Sequence, residues 1–297
     1  MKENFVTIFT PTYNRGNLLG ELYETLTRQT NDNFEWLIYD DGSSDNTEEI
    51  VNSFIRENKV GIRYTKAKNG GKHVAINNGS ELAIGELFFI VDSDDMLTYD
   101  AVDYILTYWK SIPDDKKHLY AGVGSNRAIL DKDNNKVVKK LKNEYIDASF
   151  TEFSLLLNNK ADKAEVFRTE LLRKYKFPVF ENENFMTEAV IWFKMADDGY
   201  IMRWFDEAIY ICKYREDGLT QNSFKVRLKN LNGTCHAYNL LSSYKLPKKN
   251  IIRYKANYFR FGLHKGNTIG KLKDSLIDRR YWIVSSILGR ILYIKDS

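Results

Sequence analysis

The sequence predicts an α/β protein with a mixed, mostly parallel sheet flanked by helices, followed by a helical C-terminal extension. Three observations predict this class. Short apolar runs alternate with helix-like segments over the first 110 residues, polar clusters follow those runs, and the composition becomes basic and aromatic near residue 221. Strands that alternate with helices through short connections form parallel sheets with helices on both faces.

The first two strand–helix units begin the chain. Phe5–Phe9 is a predicted strand, and the helix after it has an apolar face made of Leu18, Leu19, Leu22 and Leu26. The second strand covers residues 34–39. A second helix starts near Thr47 and is expected to direct four apolar side chains inward, namely Ile50, Val51, Phe54 and Ile55.

Two further units follow. A short strand at residues 62–64 leads through Asn69-Gly70-Gly71-Lys72 to a helix that contains Ile76 and Leu82. Leu87–Val91 is an unbroken apolar run, which is typical of a strand buried on both faces. A helix is predicted at residues 99–109.

Polar clusters stand where these predicted strands end. They are Tyr13-Asn14-Arg15, Asp40-Asp41, Lys72-His73 and Asp92–Asp95. Ligands of parallel sheets bind in the crevice beyond the carboxyl ends of the strands. The sequence therefore predicts one binding site at this edge of the sheet.

The run Asp92-Ser93-Asp94-Asp95 supplies the carboxylates of that site. Side chains alternate in an extended segment, so Asp92 and Asp94 are expected on the same side, where they repel each other unless a cation separates them. Oxygen ligands of this kind suit Mg²⁺ or Mn²⁺, which commonly bridge carboxylates to substrate phosphates. A polar turn without a metal is the alternative.

The other clusters suit a nucleotide. Tyr13 offers a ring for stacking on a base, and Asp41 can accept a hydrogen bond from a base or a ribose hydroxyl, while Arg15 and Lys72 carry positive charge for phosphates. Tyr13 and Asp41 also have simpler interpretations. Tyr13 could serve packing alone, and Asp40-Asp41-Gly42 could be a turn in which Asp45 caps the next helix.

Several of these segments resemble family 2 glycosyltransferases of the GT-A fold. The motifs, in order, are Val6–Arg15, Tyr39–Asp45, Asn69–Lys72 with Ala75 and Asn77, and Val91–Asp95. The resemblance covers about the first 110 residues.

The resemblance implies roles for named residues. Pro11, Tyr13 and Asp41 would hold the nucleotide of a sugar-nucleotide donor, and Asp92-Ser93-Asp94 would be the D-x-D element, with Asp94 as the metal ligand and Mn²⁺ or Mg²⁺ as the ion. Asp95 would contact the donor sugar or the acceptor. The donor would be a nucleotide-diphosphate sugar, a UDP-sugar by preference, and the acceptor a glycan or a lipid-linked sugar.

A second acidic segment precedes a predicted helix. Thr187 is expected to cap a helix that runs to about Asp197, with Glu188 in its first turn. An acid there favours the helix dipole and needs no other role. Inverting members of the resembled family place their general base on such a segment, often as Glu-Asp followed by Trp. Because Ala189 replaces that Asp, the match carries over to Glu188 alone, and Asp95 is the rival base.

Two further predictions concern loops of the second half. Residues 131–136 begin like a calcium loop, but Lys136 stands where glycine is required, so a hairpin turn is expected. Residues 209–215 resemble the closing strand of the family's catalytic core, and the resemblance implies that residues 217–220 form a loop across the donor and that Arg215 meets the diphosphate.

The predicted domains are residues 1–220, a catalytic domain, and residues 221–297, a basic and aromatic helical extension. Residues 1–110 would form the nucleotide-sugar half and residues 111–220 the acceptor half. From residue 221 onward there are 16 Lys and Arg against 3 acids, which favours an anionic partner. The extension either lies in a membrane interface or packs on the catalytic domain as a helical pair, while nucleic acid is disfavoured because no reading motif appears.

Localisation is predicted from absences in the sequence. Only two cysteines occur, and neither a signal peptide nor a 20-residue apolar run is evident. We expect a cytoplasmic protein that is peripheral on the inner face of the plasma membrane.

Together these features predict a metal-dependent, inverting glycosyltransferase in cell-surface polysaccharide synthesis. Two alternatives remain open: a non-catalytic relative that binds sugar nucleotides or glycans, and a sugar-phosphate nucleotidyltransferase. The second would carry a Gly-Gly-x-Gly-Thr-Arg loop where this chain has Pro11–Arg15. A dinucleotide oxidoreductase is disfavoured because Gly-x-Gly-x-x-Gly is missing after the first strand.

Overall fold

The structure, a computed structural model, describes residues 1–130, 136–157, 159, 162–213 and 223–296. The predicted hairpin turn at residues 131–135, Arg215 and the loop at residues 217–220 lie outside the described residues. The chain forms two compact units. The first comprises Met1–Ser149, Asn159–Lys176 and Gly199–Arg215, and the second comprises Phe150–Asn158, Phe177–Asp198 and Glu216–Ser297. The functional boundary at residue 220 stays a prediction.

The described strands belong to the first unit. They are β1 (Lys2–Thr12), β2 (Phe34–Asp40), β3 (Ile62–Lys66), β4 (Gly85–Ile90), β5 (Met96–Leu97), β6 (Tyr120–Asn126), β7 (Ala128–Leu130), β8 (Lys136–Val137), β9 (Tyr145–Ala148), β10 (Lys163–Arg168), β11 (Ile201–Phe205) and β12 (Tyr210–Lys213).

The described α-helices are divided between the units. The first unit contains α1 (Leu19–Thr27), α2 (Thr47–Glu57), α3 (Lys72–Leu82), α4 (Ala101–Lys110) and α5 (Thr169–Lys174). The second contains α6 (Ala189–Asp197), α7 (Ser223–Lys229), α8 (Leu231–Leu241), α9 (Lys248–His264), α10 (Ile269–Asp274) and α11 (Trp282–Asp296). Short 3₁₀ turns occupy Gly16–Leu18 and Asp114–Leu119, and a π-helical turn occupies Glu152–Leu156.

The main sheet has eight strands in the order β3-β2-β1-β4-β10-β6-β11-β9. Its first four strands are parallel, β10 is antiparallel to both of its neighbours, and β9 is antiparallel to β11. A second sheet has the order β5-β12-β7-β8. The predicted α/β class with a mixed, mostly parallel sheet is confirmed, and so is the helical nature of the C-terminal extension.

The register of the central strands creates the edge on which the site lies. Thr12 and Asp40, the last residues of β1 and β2, pair with each other, whereas Ile90, the last residue of β4, pairs with Phe9, so β4 ends three residues earlier at the same edge. Apolar side chains of β1 and β4 are buried on both faces of the sheet, and the polar clusters of the predicted site follow the strand ends.

One predicted core residue lies at the surface. Ile55 of α2 is 39% exposed, whereas Val51 is fully buried and Phe54 nearly so. The prediction that Ile55 points inward is wrong, because the apolar stripe of this helix is narrow and one further residue turns the side chain about 100° away from Phe54.

In the second unit, α11 packs on α9 through its small residues. Ser285, Ser286 and Gly289 are buried, and a Cβ atom on Gly289 would lie 2.5 Å from the carbonyl oxygen of Ala256. The large apolar residues of α11 are exposed instead, by 40% to 62%: Ile283, Val284, Ile287, Leu288, Ile291 and Ile294. Within the described ranges, no helix has the length and hydropathy of a transmembrane span.

Candidate active site

The turn after β1 is held against the turn after β2 by Asn14. Its side-chain oxygen accepts a hydrogen bond from the backbone N–H of Ser44 (2.7 Å), and its own N–H donates to Ser43 Oγ (2.8 Å). Asn14 has φ 51°, a left-handed conformation that Asn tolerates better than most residues. These contacts leave the neighbouring Tyr13 49% exposed, so its ring is available to a ligand.

Asp41, at the end of β2, holds the loop that precedes α3. Its two carboxylate oxygens accept hydrogen bonds from the N–H groups of Gly70 and Gly71, each at 2.8 Å. Burial raises the pKa of Asp41, although the two amide donors oppose the shift. Gly71 has φ 88° and ψ 163°, which a residue with a side chain rarely adopts. Asp41, for which the sequence predicts a nucleotide contact, therefore also fixes the conformation of this loop.

The carboxylates after β4 each face a cation. Lys72 Nζ lies 2.6 Å from Asp92 Oδ1, and Arg15 Nη1 lies 3.0 Å from Asp94 Oδ2. Burial raises the pKa of Asp92, but the charges of Lys72, Arg127 and Arg15 outweigh it and hold this pKa below the usual value. Four predicted site residues thus lie in two ion pairs, with Ser93 buried between the two carboxylates.

The path of the chain through these carboxylates differs from the prediction. β4 ends at Ile90, and the N–H of Asp95 donates to the carbonyl oxygen of Asp92 (3.2 Å), so residues 92–95 form a turn. The prediction that Asp92 and Asp94 lie on one side through strand alternation is wrong, because the extended backbone does not continue past Val91.

Asp95 lies in a buried cluster that sequence reasoning missed. Its Oδ2 accepts a hydrogen bond from the Tyr210 hydroxyl (2.7 Å) and lies 4.0 Å from Arg127 Nη1. The Tyr210 hydroxyl oxygen also accepts from the N–H of Asp92 (2.9 Å), and the Arg127 guanidinium lies over the Tyr210 ring. Burial and the charge of Asp92 raise the pKa of Asp95 to about 6, although Tyr210 and Arg127 oppose the shift.

The sequence gives little sign of this cluster. Tyr210 and Cys212 lie in a strand that the sequence does indicate, but the face each presents depends on pairing with β5 and β7. Arg127 occupies the single position between β6 and β7, and no local pattern marks it. Such residues become visible only once distant segments are brought together.

Asp92 and Asp94 fit a divalent ion as oxygen ligands. In the described part of the chain, no three His, Cys, Asp or Glu side chains are arranged as a complete metal centre. Mg²⁺ is usually bound through one or two carboxylates together with substrate phosphates. Asp92 and Asp94 offer two carboxylates of this kind, and each of them faces a cationic side chain in this structure, Lys72 and Arg15 respectively.

Glu188 belongs to the second unit, where it is the residue before α6. α6 ends at Asp197 as predicted, but it begins at Ala189, and its N-cap residue is Glu188 with no side-chain cap hydrogen bond. The predicted cap by Thr187 is therefore wrong. Glu188 is half-buried, and its carbonyl oxygen accepts from the N–H of Ile191 (3.0 Å).

A second acid, Glu183, anchors the segment that precedes Glu188 in the sequence. Glu183 accepts hydrogen bonds from the N–H groups of Asn232 and Gly233 (both 2.7 Å) and from the Asn232 amide (2.8 Å). These donors lie in the first turn of α8, where an anion is favoured by free N–H groups and the helix dipole. The acidic segment is thus attached to the C-terminal helices of its own unit.

The geometry of the first unit defines a class of site. At the carboxyl ends of parallel strands it combines an exposed aromatic ring, a buried carboxylate that fixes a glycine loop, and two carboxylate–cation pairs. The ring can stack on a base, the cations can neutralise phosphates, and the carboxylates can ligate a divalent ion. This is the composition expected of a nucleotide-diphosphate site in a sheet of this kind.

Comparison with known families agrees with this class. Residues 7–152 match the family model "Glycosyl transferase family 2". This matched segment, just under half of the chain, is similar to glycosyl transferase family 2 and contains Pro11, Tyr13, Arg15, Asp41, Lys72 and Asp92–Asp95.

Two curated relatives are similar over different lengths. The glycosyltransferase GlyG of Streptococcus pneumoniae is 37% identical over 99 residues, which are 33% of this chain and 33% of GlyG. The GalNAc(5)-diNAcBac-PP-undecaprenol beta-1,3-glucosyltransferase of Campylobacter jejuni is 26% identical over 85% of both chains. The chain spans only a third of GlyG and 17% of a Rickettsia felis glycosyltransferase.

Solved structures share the fold along nearly the whole chain. TarS 1-349 of S. aureus in complex with UDP-GlcNAc has a TM-score of 0.63 at 18% identity, covering 98% of this chain and 91% of that TarS fragment. The mannosyltransferase PcManGT of Pyrobaculum calidifontis, in complex with GDP-Man and Mn²⁺, has a TM-score of 0.57 at 16% identity, with 98% and 87% coverage.

Proposed function

We propose that this chain transfers a sugar from a nucleotide-diphosphate donor, by preference a UDP-sugar, to an acceptor hydroxyl during synthesis of a cell-surface polysaccharide. The observation that carries the proposal is the set of groups at the carboxyl ends of the parallel strands β1, β2 and β4, within the segment that matches family 2. Each part of a sugar nucleotide finds a complementary group there.

The nucleoside end binds at the first two strand ends. The exposed ring of Tyr13 stacks on the base, and Pro11, at the end of β1, lies beneath it. Asp41 holds Gly70 and Gly71 and accepts from the base or ribose with its remaining lone pairs. The exposure of Tyr13 and the fixed glycine loop support this orientation.

The diphosphate binds where Arg15 and Lys72 already face carboxylates. Both cations are partly exposed and can turn from Asp94 and Asp92 to phosphate oxygens. Asp94 and Asp92 are the residues that would hold Mn²⁺ or Mg²⁺, and the bound ion would supply Lewis-acid neutralisation of the leaving diphosphate. The Mn²⁺ complex of PcManGT supports a metal in this fold.

Glu188 is the general base of this proposal. It takes the proton of the acceptor hydroxyl while that oxygen attacks the anomeric carbon, and the bond to the diphosphate breaks on the opposite face. One such displacement inverts the anomeric carbon. Asp95, the rival base, is buried and hydrogen-bonded to Tyr210, which favours positioning of the donor sugar instead.

The acceptor is a lipid-linked sugar at the inner face of the membrane. The undecaprenol diphosphate in the name of the Campylobacter relative supports this choice. The exposed apolar face of α11 gives a second reason, because exposed cations lie in or directly before this helix, namely Arg279, Arg280, Arg290 and Lys295. A helix with an exposed apolar face and nearby cations suits a surface of anionic phospholipids.

A donor screen tests the proposal. The chain is incubated with UDP-, GDP- and CDP-sugars, with and without a short polyprenyl-diphosphate-linked sugar, and released nucleoside diphosphate is measured. We expect one donor to be turned over, faster with acceptor, and to lose most of its turnover in Asp94→Asn but not in the exposed Asp32→Asn control. Binding of a donor without any turnover would favour the non-catalytic relative, and formation of a sugar nucleotide from sugar phosphate and nucleoside triphosphate would favour the nucleotidyltransferase.

A further inference from the structure

The second unit contains a cavity of about 380 Å³ that the reaction described above does not use. Its walls come from the residues around the start of α6, from α8 and from α9, with Arg227 of α7 at one side. This volume is within the range of small-molecule sites in proteins. All of its lining residues belong to the second unit.

Two guanidinium groups dominate the polar lining. Arg227 donates to the carbonyl oxygen of Ser223 (2.9 Å) and lies 5.5 Å from the Phe185 ring centroid, and Arg253 lies 5.2 Å from that of Tyr254. Within the described part of the chain, the two guanidinium groups contact aromatic rings, a carbonyl oxygen and the Tyr254 side chain, and no carboxylate. A guanidinium has five N–H donors, so most of them remain for a ligand. Two such groups at one cavity favour an anion with several acceptor oxygens, such as a phosphate.

The other lining residues indicate which chemical groups of the ligand lie next to its anion. Asn257 and Thr234 offer neutral polar groups, and Tyr238 and Tyr254 offer ring faces 6.3 Å apart between centroids. Met186 adds an apolar wall. Rings and apolar groups beside two cations suit a sugar or isoprenoid attached to phosphate better than a free inorganic ion.

The cavity also lies next to the proposed base along the chain. Thr187 and Ala189, which both line it, are the neighbours of Glu188. A molecule bound in the cavity next to Thr187 and Ala189 would therefore lie close to the Glu188 backbone.

We propose that this cavity binds the phosphate or diphosphate of the acceptor, with Arg227 and Arg253 as its ligands. This inference rests on the proposed function, since it gives the acceptor a phosphate and places it beside Glu188. It assigns acceptor recognition to the C-terminal helices, whereas donor recognition lies in the first unit.

The test is isothermal titration of the full chain with inorganic pyrophosphate, without divalent ions and with UDP in excess to occupy the donor site. The variants are Arg227→Gln and Arg253→Gln, and the control is Arg56→Gln, which removes an exposed arginine from α2. We expect each cavity variant to weaken pyrophosphate binding by about tenfold or more, the usual loss for a hydrogen bond to a charged group. The control is expected to bind like the wild type.

An uncharged variant locates the site. Ala237 lines the cavity and is 3% exposed, so Ala237→Leu fills part of the space without changing the charge. It should weaken pyrophosphate binding as the arginine variants do. Circular dichroism establishes that each variant is folded, and because Arg253 is exposed, Arg253→Gln decides the question if the others unfold.

Two results would overturn the inference: no pyrophosphate binding by a wild type that binds UDP, or equal pyrophosphate affinity in the wild type and all folded cavity variants. Neither result touches the donor site. A wild type that binds neither UDP nor any UDP-sugar, with or without Mn²⁺, would instead count against the proposed function, so the two failures are distinguishable.

Discussion

Glu188 and Asp95 lie in different surroundings, and the difference separates the effects expected of their substitution. Glu188 is half-buried before α6, whereas Asp95 is 8% exposed and bound to Tyr210. A general base must reach the acceptor proton, while a buried carboxyl held by a tyrosine is suited to keep a turn in place.

Glu188→Gln should lower turnover by about 10²–10⁴-fold, the usual contribution of a general base. Glutamine keeps the size of the side chain and cannot take the proton, so the dissociation constant of UDP should not change. Steady-state kinetics and UDP titration measure the two effects. Glu181→Gln, in the same segment and exposed, is the matched control. If a folded Glu188→Gln protein turned over as fast as the wild type, another residue would have to be the general base.

Asp95 should make stability depend on pH. Its pKa rises from 3.8 to about 6 on folding, so the folded protein holds a proton that the unfolded chain has lost between these values. The free energy of unfolding should therefore fall as pH rises through this window, by about 3 kcal/mol for a shift of about two pKa units, and stay constant above it. Below about pH 4 both states are protonated and the penalty vanishes.

Urea unfolding from pH 4 to 7 measures this contribution. Relative to the wild type, Asp95→Asn should gain about 2–3 kcal/mol between the two ends, because asparagine cannot ionise. Asp32→Asn, which replaces an exposed aspartate, should follow the wild-type profile. Parallel profiles for wild type and Asp95→Asn would mean that Asp95 has an ordinary pKa.

At the level of the elements, the loop between β3 and α3 depends on one backbone conformation. Gly71→Ala forces a side chain onto φ 88° and ψ 163°, a backbone region used almost only by glycine, at a cost of about 1–3 kcal/mol. The N–H that donates to Asp41 should shift, so UDP should bind more weakly while the protein remains folded. Thermal unfolding and UDP titration measure the two losses.

The matched control for that loop is Gly20→Ala. Gly20 lies in α1, and a Cβ atom there meets nothing within 4 Å. Alanine in a helix interior should stabilise the protein by about 0.5–1 kcal/mol without affecting UDP. Equal UDP affinity in Gly71→Ala and wild type would show that the loop does not contribute to nucleotide binding.

The exposed face of α11 makes a prediction about membranes. Ile287→Asp with Ile291→Asp should abolish co-sedimentation with vesicles rich in phosphatidylglycerol, because two charges replace exposed apolar side chains. Stability should change little, since this face is not packed. Ile55→Asp, at a similarly exposed isoleucine of α2, is the control. Loss of a dimer on gel filtration, with vesicle binding unchanged, would mean that the face contacts a second copy of the chain.

Elements with a strong sequence period were predictable. Leu87–Val91 is a continuous apolar run and Val6–Phe9 is interrupted only by Thr7, and the structure buries both in or directly after the adjacent parallel strands β4 and β1. Their ends were predictable only to within a few residues, since hydrogen bonding decides them. β4 stops at Ile90 because the next residues enter a turn, and that turn invalidated the alternation argument for Asp92 and Asp94.

The site was predictable where its residues follow strands directly. Asp41 and Asp92–Asp95 stand at strand ends in the sequence, and parallel strands bring their ends to one edge. Arg127 and Tyr210 could not be found in this way, because β7 and β12 meet through pairing between residues more than 80 positions apart. The sequence also did not predict the ion pairs Arg15–Asp94 and Lys72–Asp92, although all four residues were candidate site residues.

At the scale of the whole molecule, the two units differ in how much of each matches the family model. The first contains most of the residues that match the family 2 model, including the predicted donor-site residues. The second contains Glu188, the cavity and the C-terminal helices, where the sequence offers composition but few motifs. Acceptor choice is proposed to reside there, so relatives that share only the first 100 residues can differ in acceptor.

The measurement that tests the donor site most directly is a thermal-shift panel of UDP, GDP, CDP and ADP, each with and without Mn²⁺. A ligand that binds only the folded state stabilises it by about 3 kcal/mol at a hundredfold excess over its dissociation constant. We expect UDP with Mn²⁺ to raise the melting temperature, and expect Asp94→Ala to remove the part of the shift that needs Mn²⁺. No shift with any nucleotide, or a shift that Asp94→Ala and Asp41→Ala both leave unchanged, would contradict a nucleotide-diphosphate site at the ends of β1, β2 and β4.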